Sequence, residues 1–336
     1  MKTGLTLGKF APLHRGHQFL LESALSEVDQ LTVLIYDAPE FTRCPLPVRA
    51  GWIRRFYPQV EVIEAWDGPM EVGDTPAIRR MHEDFLHRIL QGRRITHFFC
   101  SEFYGEHVSR ALGARDCRVD AARARFPVSA TDLRRDLYAF RRFLSPLVYW
   151  DLIGKVVFLG APATGKTTLA ESLAKKYRTV WMPEYGREYW ERHQQERRLS
   201  LGQLLEIAET HRAREAARAA EANRFLFVDT DATTTCMFSR YYHGAAHPRL
   251  EELASQVRDR YNLFFLCEDD IPYDNTWDRS GEAQRAVFQK QIRADLLARR
   301  IPFFSLRGDL AARMDRVSAI LEGFDPWASL ADHLRP

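Results

Sequence analysis

The sequence predicts an α/β protein with two domains, each built around a parallel β-sheet. Short apolar runs alternate with amphipathic segments along the chain, as in sheets covered by helices. The order strand, glycine turn and helix occurs at the start of the chain and begins again near Lys155. Since 336 residues are ample for two domains of ordinary size, we expect a first domain at 1–150 and a second at 151–336.

The first half predicts a regular alternation of strands and helices. We expect strands at 5–7, 31–36, 60–63 and 96–100, and helices at 17–28, 48–56, 76–90 and 104–112. The second half predicts strands at 155–159, 179–182, 224–228, 262–266 and 302–306. A long helix at 201–222 should turn Leu204, Leu205 and Ile207 to the core and its charged residues to solvent. The segment Tyr138–Asp151 is not rich in Gly or Ser, so we expect a packed connection.

Composition excludes several classes of protein. A net charge of +3 spread along the chain gives no broad electrostatic footprint for nucleic acid or membrane. The chain start lacks a signal-peptide pattern, and no apolar stretch is long enough to span a bilayer. Five scattered cysteines form no metal or CxxC spacing, which is typical of reduced thiols. We expect a cytoplasmic protein with small-molecule partners, and the oligomeric state stays open, a homo-oligomer being one option.

The stretch 160–167 predicts a phosphate-binding loop. It fits G-x-x-x-x-G-K-[ST], follows an apolar strand and precedes a helix that continues through Thr168. Glycines let the backbone wrap a phosphate, and the helix N-terminus adds the positive end of its dipole. In this motif the lysine reaches the β- and γ-phosphates and the hydroxyl is placed to ligate Mg²⁺. The predicted ATP-binding residues are Gly160, Ala161, Pro162, Ala163, Thr164, Gly165, Lys166, Thr167 and Thr168, with Lys166 catalytic and Thr167 a metal ligand.

Two aspartates end the strand at 224–228 and are candidates for the chemistry. A carboxylate at such a strand end can organise Mg²⁺ or accept a proton from an acceptor hydroxyl. Asp229 and Asp231 can divide these roles, with Asp229 the candidate metal ligand; which one is the base stays open. The alternative is a pair of turn or capping residues, because Asp favours such positions.

Two further segments are candidates for contact with the acceptor and the transferred phosphoryl group. Glu184 and Arg187 could hold ribose hydroxyls, and Tyr185 or Trp190 could stack on a flat base; an ion pair that caps a helix explains the charges equally well. The polar loop at 274–281 offers Arg279 as a lid residue, with Arg285 second. A solvated surface arginine is the alternative there.

A second anion site is predicted between the first strand and the first helix. His14 and His17 flank Gly16 at the helix start, so both imidazoles can face one point beyond that N-terminus. Imidazole donors and the helix dipole favour an α-phosphate whose charge grows under attack. Gly8, Lys9 and Phe10 complete the predicted ATP-binding loop. Ser129, Thr131 and Arg134 begin a later helix, which could close on the same phosphates or be only a capped helix start.

Taken together, these motifs resemble a known family. GKFAPLHRGH followed by SATDLR resembles the H-x-G-H nucleotidyltransferases with their S-x-T-x-x-R motif. With GAPATGKT, EYGRE and VDTD, the chain is similar to bifunctional nicotinamide-nucleotide adenylyltransferases and ribosylnicotinamide kinases over nearly its whole length, and Ala246–Pro248 also fits. The resemblance implies a Rossmann-like nucleotidyltransferase sheet followed by a P-loop kinase sheet.

The resemblance also implies a function in NAD biosynthesis and salvage. The second domain would phosphorylate nicotinamide riboside with ATP, and the first would join nicotinamide mononucleotide to AMP, giving NAD and pyrophosphate. It implies that His14, His17, Ser129, Thr131 and Arg134 serve one ATP. Lys166 and Thr167 would serve the other, and Asp229 and Asp231 would serve Mg²⁺ and the acceptor hydroxyl.

Some features depart from the family pattern. Some members begin with a helix-turn-helix segment, whereas this chain begins at its first strand, so we expect no repressor role. The nicotinamide-recognising aromatics of the first domain are not fixed; Trp52 and Trp66 are candidates, and the loop Asp67–Pro76 is hard to match. Two alternatives remain: a kinase whose adenylyltransferase domain is weak or has another substrate, and an ATP- or NAD-sensing regulator.

Overall fold

The structure, a computed structural model, describes residues 1–194, 198–272 and 282–328, with the backbone alone for Glu282 and Ala283. Its contacts divide the chain into two compact units, Met1–Val148 and Tyr149–Pro336. The connecting segment contains a short 3-10 turn at Arg141–Phe143 and a helix, α6, at Pro146–Leu152. In the described ranges, no helix is long and apolar enough to cross a membrane.

The first unit contains a five-stranded parallel sheet in the order β3-β2-β1-β4-β5. Its strands are β1 Thr3–Gly8, β2 Gln30–Tyr36, β3 Glu61–Ala65, β4 His97–Cys100 and β5 Arg115–Arg118. Its helices are α1 Arg15–Glu27, α2 Leu46–Phe56, α3 Pro76–Leu90, α4 Gly105–Leu112 and α5 Ala130–Arg135. The strand order reverses at β1, which places a crevice at the carboxyl ends of β1 and β4, where ligands bind in such sheets.

The strands of the first unit follow from residue type, with one exception. QLTVLIY is buried from its second residue onward, as a continuous apolar run in a covered parallel strand should be. Leu5, Leu34 and Phe98 pack with Phe85 and Leu86 of α3 in one cluster. The edge strand β5 was not predicted, because its sequence RDCR carries no apolar pattern.

The second unit contains a five-stranded parallel sheet in the order β10-β9-β6-β8-β7. Its strands are β6 Gly154–Leu159, β7 Trp181–Met182, β8 Phe225–Asp229, β9 Leu263–Cys267 and β10 Phe304–Leu306. Its helices are α7 Lys166–Tyr177, α8 Tyr185–His193, α9 Leu201–Ala219, α10 Ala232–His243, α11 Pro248–Ser255, α12 Val257–Arg260, α13 Glu282–Ala298 and α14 Leu310–Glu322. Phe158 of the central strand stacks between Phe227 and Phe265, so the aromatic runs of three strands form the core.

The solvated face predicted for α9 is wrong for two residues. Leu204 and Ile207 are buried as predicted, and Leu205 packs at the edge of the same cluster. Glu215, however, is fully buried, where it accepts a hydrogen bond from Tyr261 Oη at 2.7 Å and pairs with Arg260 Nε at 3.2 Å. His211 is only 8% exposed. Glu215 can be buried because its partners Tyr261 and Arg260 lie outside α9. The sequence pattern of α9 alone does not show such partners.

Candidate phosphate sites

The loop between β6 and α7 takes the backbone shape that its glycines predict. Gly160 has φ of +147°, and a Cβ there would lie 2.6 Å from the carbonyl oxygen of Cys267. Gly165, at φ of +79°, directly precedes the first residue of α7. Both positions therefore exclude other residues, one by contact and both by conformation. The loop curves around the N-terminus of α7, where backbone N–H groups and the helix dipole favour an anion.

Buried polar side chains hold this loop from outside the motif. Arg313 Nη1 donates to the carbonyl of Thr164 at 2.6 Å, and Arg285 Nη2 donates to that of Ala163 at 3.1 Å. Gln289 Oε1 accepts the N–H of Ala161 at 2.9 Å. Lys166 Nζ lies over the loop, 3.0 Å from each of the carbonyl oxygens of Gly160 and Ala161. The carbonyl side of the loop is thus satisfied by cationic side chains.

Sequence reasoning missed Gln289 and Arg313, although the sequence contained a signal for both. Arg285 and Gln289 lie four residues apart and continue into Ile292 and Leu296, which makes a buried stripe on α13. Arg313 lies four residues before the buried Val317 on α14. A cation on the apolar face of a helix indicates a buried partner. Arg285, predicted as a second lid residue, instead contacts the loop backbone, and Arg279 lies outside the described residues.

The two aspartates after β8 occupy different places. Asp229 is fully buried and its Oδ2 accepts a hydrogen bond from Thr167 Oγ1 at 2.5 Å, so it lies directly beside the loop. Asp231 caps α10, where its Oδ1 accepts from the N–H and the hydroxyl of Thr233 at 2.8 and 2.5 Å. Its Oδ2 is buried with no hydrogen-bond partner in the described part of the chain. Burial raises the pKa of Asp231 to about 6.

Asp231 also lines a small pocket, together with Thr230, which directly follows Asp229. The residues around this pocket come from α8, α9, α10 and their preceding turns: Glu184, Gly186, Ile207, Ala208, His211, Thr230, Asp231, Ala232 and Thr235. Of the predicted acceptor residues, Glu184 lines the pocket, whereas Tyr185, Arg187 and Trp190 do not. Tyr185 lies under the guanidinium of Arg214, 4.0 Å from ring centroid to Cζ, and Trp190 packs beside the α9 cluster. The stacking of these two aromatics on a flat base stays a prediction.

The first unit brings the two predicted histidines together. Their imidazole rings stack with centroids 3.7 Å apart and planes 24° from parallel. His14 is the N-cap of α1, and its Nδ1 accepts the N–H of Gly16 at 3.1 Å. A Cβ on Gly16 would lie 3.1 Å from the His14 ring, so glycine makes room for this cap. With Nδ1 an acceptor, the neutral ring carries its proton on Nε2, which is left as a donor.

Both imidazoles are held neutral. Burial, assisted by the positive charge of Arg123, lowers the pKa of His14 to about 4. Burial and the neighbouring His14 hold the pKa of His17 well below its usual range. Phe10 lies edge-on to His17 at 4.9 Å and is almost completely buried at φ of +45°. The loop therefore offers the Nε2 donor of His14, while the His17 ring donates to the backbone of Pro12, and neither imidazole carries a fixed charge.

The remaining predicted residues lie around the same loop. Arg134 Nη1 donates to the carbonyl of Ala11 at 2.8 Å, and its Nη2 donates to Thr131 Oγ1 at 3.0 Å. The start of α5 is thus next to the loop that precedes His14. Ser129 forms a capping box with Asp132, so the alternative reading as a helix start also holds. Lys9 Nζ is paired with Glu40 Oε1 at 2.8 Å.

Arg49 of α2 supports the loop between β1 and α1, and sequence reasoning missed it. Its side chain is fully buried and donates to the carbonyls of Lys9 at 2.5 Å, Tyr36 at 2.9 Å and Cys44 at 3.0 Å. The available signal was an arginine within the apolar stripe that includes Trp52 and Ile53. Trp52 itself is 2% exposed and belongs to the core, whereas Trp66 is 60% exposed. Of the two candidate aromatics, only Trp66 presents a ring to solvent.

Comparisons with known proteins match both units. The AAA_28 family, described as an AAA domain, matches residues 155–313. The trifunctional NAD biosynthesis/regulator protein NadR of Escherichia coli (strain K12) is 26% identical over 319 residues, which cover 86% of this chain and 75% of that protein. The protein of the same name from Salmonella typhimurium (strain LT2) is 25% identical over 334 residues, which cover 90% and 78%.

Solved structures give the same architecture. A NadR protein in complex with NAD and AMP-PNP aligns over 96% of this chain and 95% of its own, with a TM-score of 0.55 and 19% identity. A NadR protein in complex with NR aligns over the same shares, with a TM-score of 0.54 and 20% identity. The predicted fold, two α/β domains that each contain a parallel sheet, is thereby confirmed.

Proposed function

We propose, from the premise that the chain is NadR-like, that its two units make NAD in succession. The second unit would phosphorylate nicotinamide riboside with ATP. The first would transfer AMP from a second ATP to the resulting mononucleotide. NAD, AMP-PNP and NR are the molecules in the titles of the similar solved structures, which supports this choice of substrates.

The single observation that carries the kinase proposal is that Asp229 and Asp231 have different surroundings. Asp229 contacts Thr167 of the phosphate loop, whereas Asp231 lines the small pocket together with Glu184. We therefore assign Asp229 to the metal side and Asp231 to the acceptor. The Asp231 carboxylate, with its pKa raised to about 6, is close to the value at which a general base works well near neutral pH.

The proposed phosphoryl transfer balances with these groups. The 5′-hydroxyl oxygen of the nucleoside forms a bond to the γ-phosphorus while the bond to the β-phosphate oxygen breaks, so ADP leaves. The hydroxyl proton passes to Asp231 Oδ2. Lys166 and the N–H groups of the loop stabilise the phosphates. Thr167 and Asp229, an oxygen pair 2.5 Å apart, fit a hard cation such as Mg²⁺, which would neutralise phosphate charge when bound.

The adenylyl transfer needs no base, because the attacking group is already a phosphate. An oxygen of the mononucleotide phosphate bonds to the α-phosphorus of ATP, and the α–β bond breaks to release pyrophosphate. The developing charge is stabilised by the Nε2 donor of His14, against which the His17 ring stacks, and by the N-terminus of α1. Arg134, held at the carbonyl of Ala11, lies beside the same loop and supplies a fixed positive charge.

The test incubates the full chain with nicotinamide riboside, ATP and Mg²⁺ and follows mononucleotide and NAD by chromatography. Lys166→Ala should lower the first step by about 100-fold or more and leave the conversion of added mononucleotide unchanged. His17→Ala should do the reverse. Lys175→Ala and His87→Ala, which remove the same side-chain types from exposed positions, are the matched controls.

The outcomes separate the competing functions. If either variant folds normally but loses both steps, the two-site proposal fails. If wild-type protein forms the mononucleotide but no NAD, the chain is a kinase whose first unit has another substrate or little activity. If it binds ATP without turnover of either substrate, the regulator alternative replaces the enzyme proposal.

A further inference from the structure

One polar residue of the acceptor pocket has no role in the steps above. His211 of α9 lines the same pocket as Asp231 and Glu184. It is 8% exposed, and its Nε2 is buried with no hydrogen-bond partner among the residues that the structure describes. Buried polar atoms are nearly always paired, so an orphan nitrogen in a pocket wall indicates a missing partner.

The tautomer of His211 follows from its other contact. The ring has a hydrogen bond with the backbone of Thr230, and that bond favours the protonated ring, as a bond to a carbonyl acceptor does. Because Nε2 is unpartnered, Nδ1 must be the atom that donates to Thr230. Burial, with the positive charges of Arg260 and Arg214, lowers the pKa of His211 to about 4. At neutral pH the ring is uncharged and Nε2 is an acceptor.

The pocket therefore presents two unpartnered acceptors, His211 Nε2 and Asp231 Oδ2. Two acceptors cannot satisfy each other while the carboxylate is ionised, so each of them needs a hydrogen-bond donor from a bound molecule. A ribose has three hydroxyls in a nucleoside, and each can donate one hydrogen bond.

We propose that His211 Nε2 accepts a hydrogen bond from a secondary hydroxyl of the acceptor ribose and so selects ribonucleosides. The inference rests on the proposed kinase function and deepens it. Because Asp231 accepts the proton of the 5′-hydroxyl in the proposed step, His211 pairs with the 2′- or the 3′-hydroxyl. A site built to pair with a hydroxyl rejects the analogue that lacks it, because the site's own polar atom is then left unpaired.

The test is a double-mutant-type cycle that combines removal of a substrate hydroxyl with removal of the His211 acceptor. Phosphorylation of nicotinamide riboside and of its 2′-deoxy and 3′-deoxy analogues is measured with wild-type protein and with His211→Phe, which keeps a flat ring without an acceptor. One analogue should lose about 100-fold in kcat/KM with wild-type protein and less than about 3-fold with the variant. His211→Phe should raise the KM for the riboside and leave the KM for ATP unchanged.

Rescue and control variants distinguish this role from simple packing. His211→Gln, whose amide oxygen is an acceptor, should recover part of the discrimination against the sensitive analogue. His87→Phe removes an exposed histidine and should change neither constant. Equal losses with wild-type protein and His211→Phe would overturn the proposal.

Wild-type protein alone provides a second test, which does not depend on whether His211→Phe folds. If neither deoxy analogue is disfavoured by wild-type protein, His211 pairs with no sugar hydroxyl and the inference fails while the kinase function stands. If no nucleoside is phosphorylated at all, the proposed function fails and this inference fails with it.

Discussion

The two phosphate loops solve the same problem with different side chains. In both units a loop follows the first strand of a parallel sheet and leads into a helix, so that backbone N–H groups can face an anion. The second loop follows a glycine pattern and carries a lysine. The first carries two stacked histidines, which burial keeps neutral. One loop therefore provides a fixed charge and the other provides an uncharged donor, the Nε2 of His14.

The comparison also shows what the loops share. A loop that turns its N–H groups to one side turns its carbonyls to the other, and those carbonyls need donors. Arg313 and Arg285 provide them in the second unit, at Thr164 and Ala163. In the first unit Arg49 and Arg134 provide them: Arg49 donates to the carbonyl of Lys9, and Arg134 donates to the carbonyl of Ala11. Arginine suits this position because its fork can reach several carbonyls at once.

The largest expected effect tests the charge at the second site. Asp231→Asn should lower phosphorylation of the riboside by about 100- to 10,000-fold, because the base is lost, while adenylyl transfer stays unchanged. The same change should stabilise the second unit by up to about 3 kcal/mol at neutral pH, because burial raises the pKa of this carboxyl to about 6 and so penalises the ionised form. The rate of riboside phosphorylation measures the first effect. Urea unfolding, monitored by hydrogen exchange, measures the second.

Asp259→Asn, at an exposed position of α12, is the matched control and should change neither quantity. The gain in stability should disappear as pH falls below about 4, where Asp231 is protonated in the folded and the unfolded chain alike. A less stable Asp231→Asn protein that keeps full kinase activity would contradict both the buried charge and the role as base.

The sequence alone predicted the parts of the molecule that depend on local pattern. The strands with continuous apolar runs, such as β2, and the glycines of the second loop follow from residue type and conformation. The histidine pair was predicted to face one point, and the rings do stack. The sequence did not show Arg49 or Arg313 at the loops, because their partners are backbone carbonyls that come close only in the tertiary fold. His211 was hidden for the same reason, since its pocket combines three helices.

The next effect tests the shared arginine support. Arg313→Met should destabilise the second unit by roughly 3 kcal/mol and raise the KM for ATP in the kinase step, because it leaves the carbonyl of Thr164 and the carboxylate of Asp270 without their buried partner. Arg49→Met should act in the same way on the first unit and on adenylyl transfer. Chemical unfolding of each unit and the two ATP KM values are the measurements.

Exposed arginines on the same helices are the controls for these two variants. Arg316→Met on α14 and Arg55→Met on α2 should each change stability by less than about 0.5 kcal/mol. If Arg313→Met and Arg49→Met lower stability but leave both KM values for ATP unchanged, the arginines hold the fold and not the loops, and the comparison of the two supports loses its functional part.

The effect that is smallest per unit of pH is a difference in how the two units respond to acid. The His14 pKa is lowered from 6.5 to about 4 in the folded chain, so between these values the unfolded chain binds a proton that the folded one does not. The free energy of unfolding of the first unit should then fall by about 1.4 kcal/mol for each pH unit between 6.5 and about 4, for this residue alone. Asp231 acts with the opposite sign in the second unit, where protonation between about 6 and 3.8 relieves a buried charge. Hydrogen exchange of β2 and β8 measures the two units separately. His14→Asn, which keeps an N-cap acceptor for Gly16, should reduce the slope at β2 and leave β8 unchanged; equal acid slopes in both units before and after the change would remove the contrast between a neutral and a charged site.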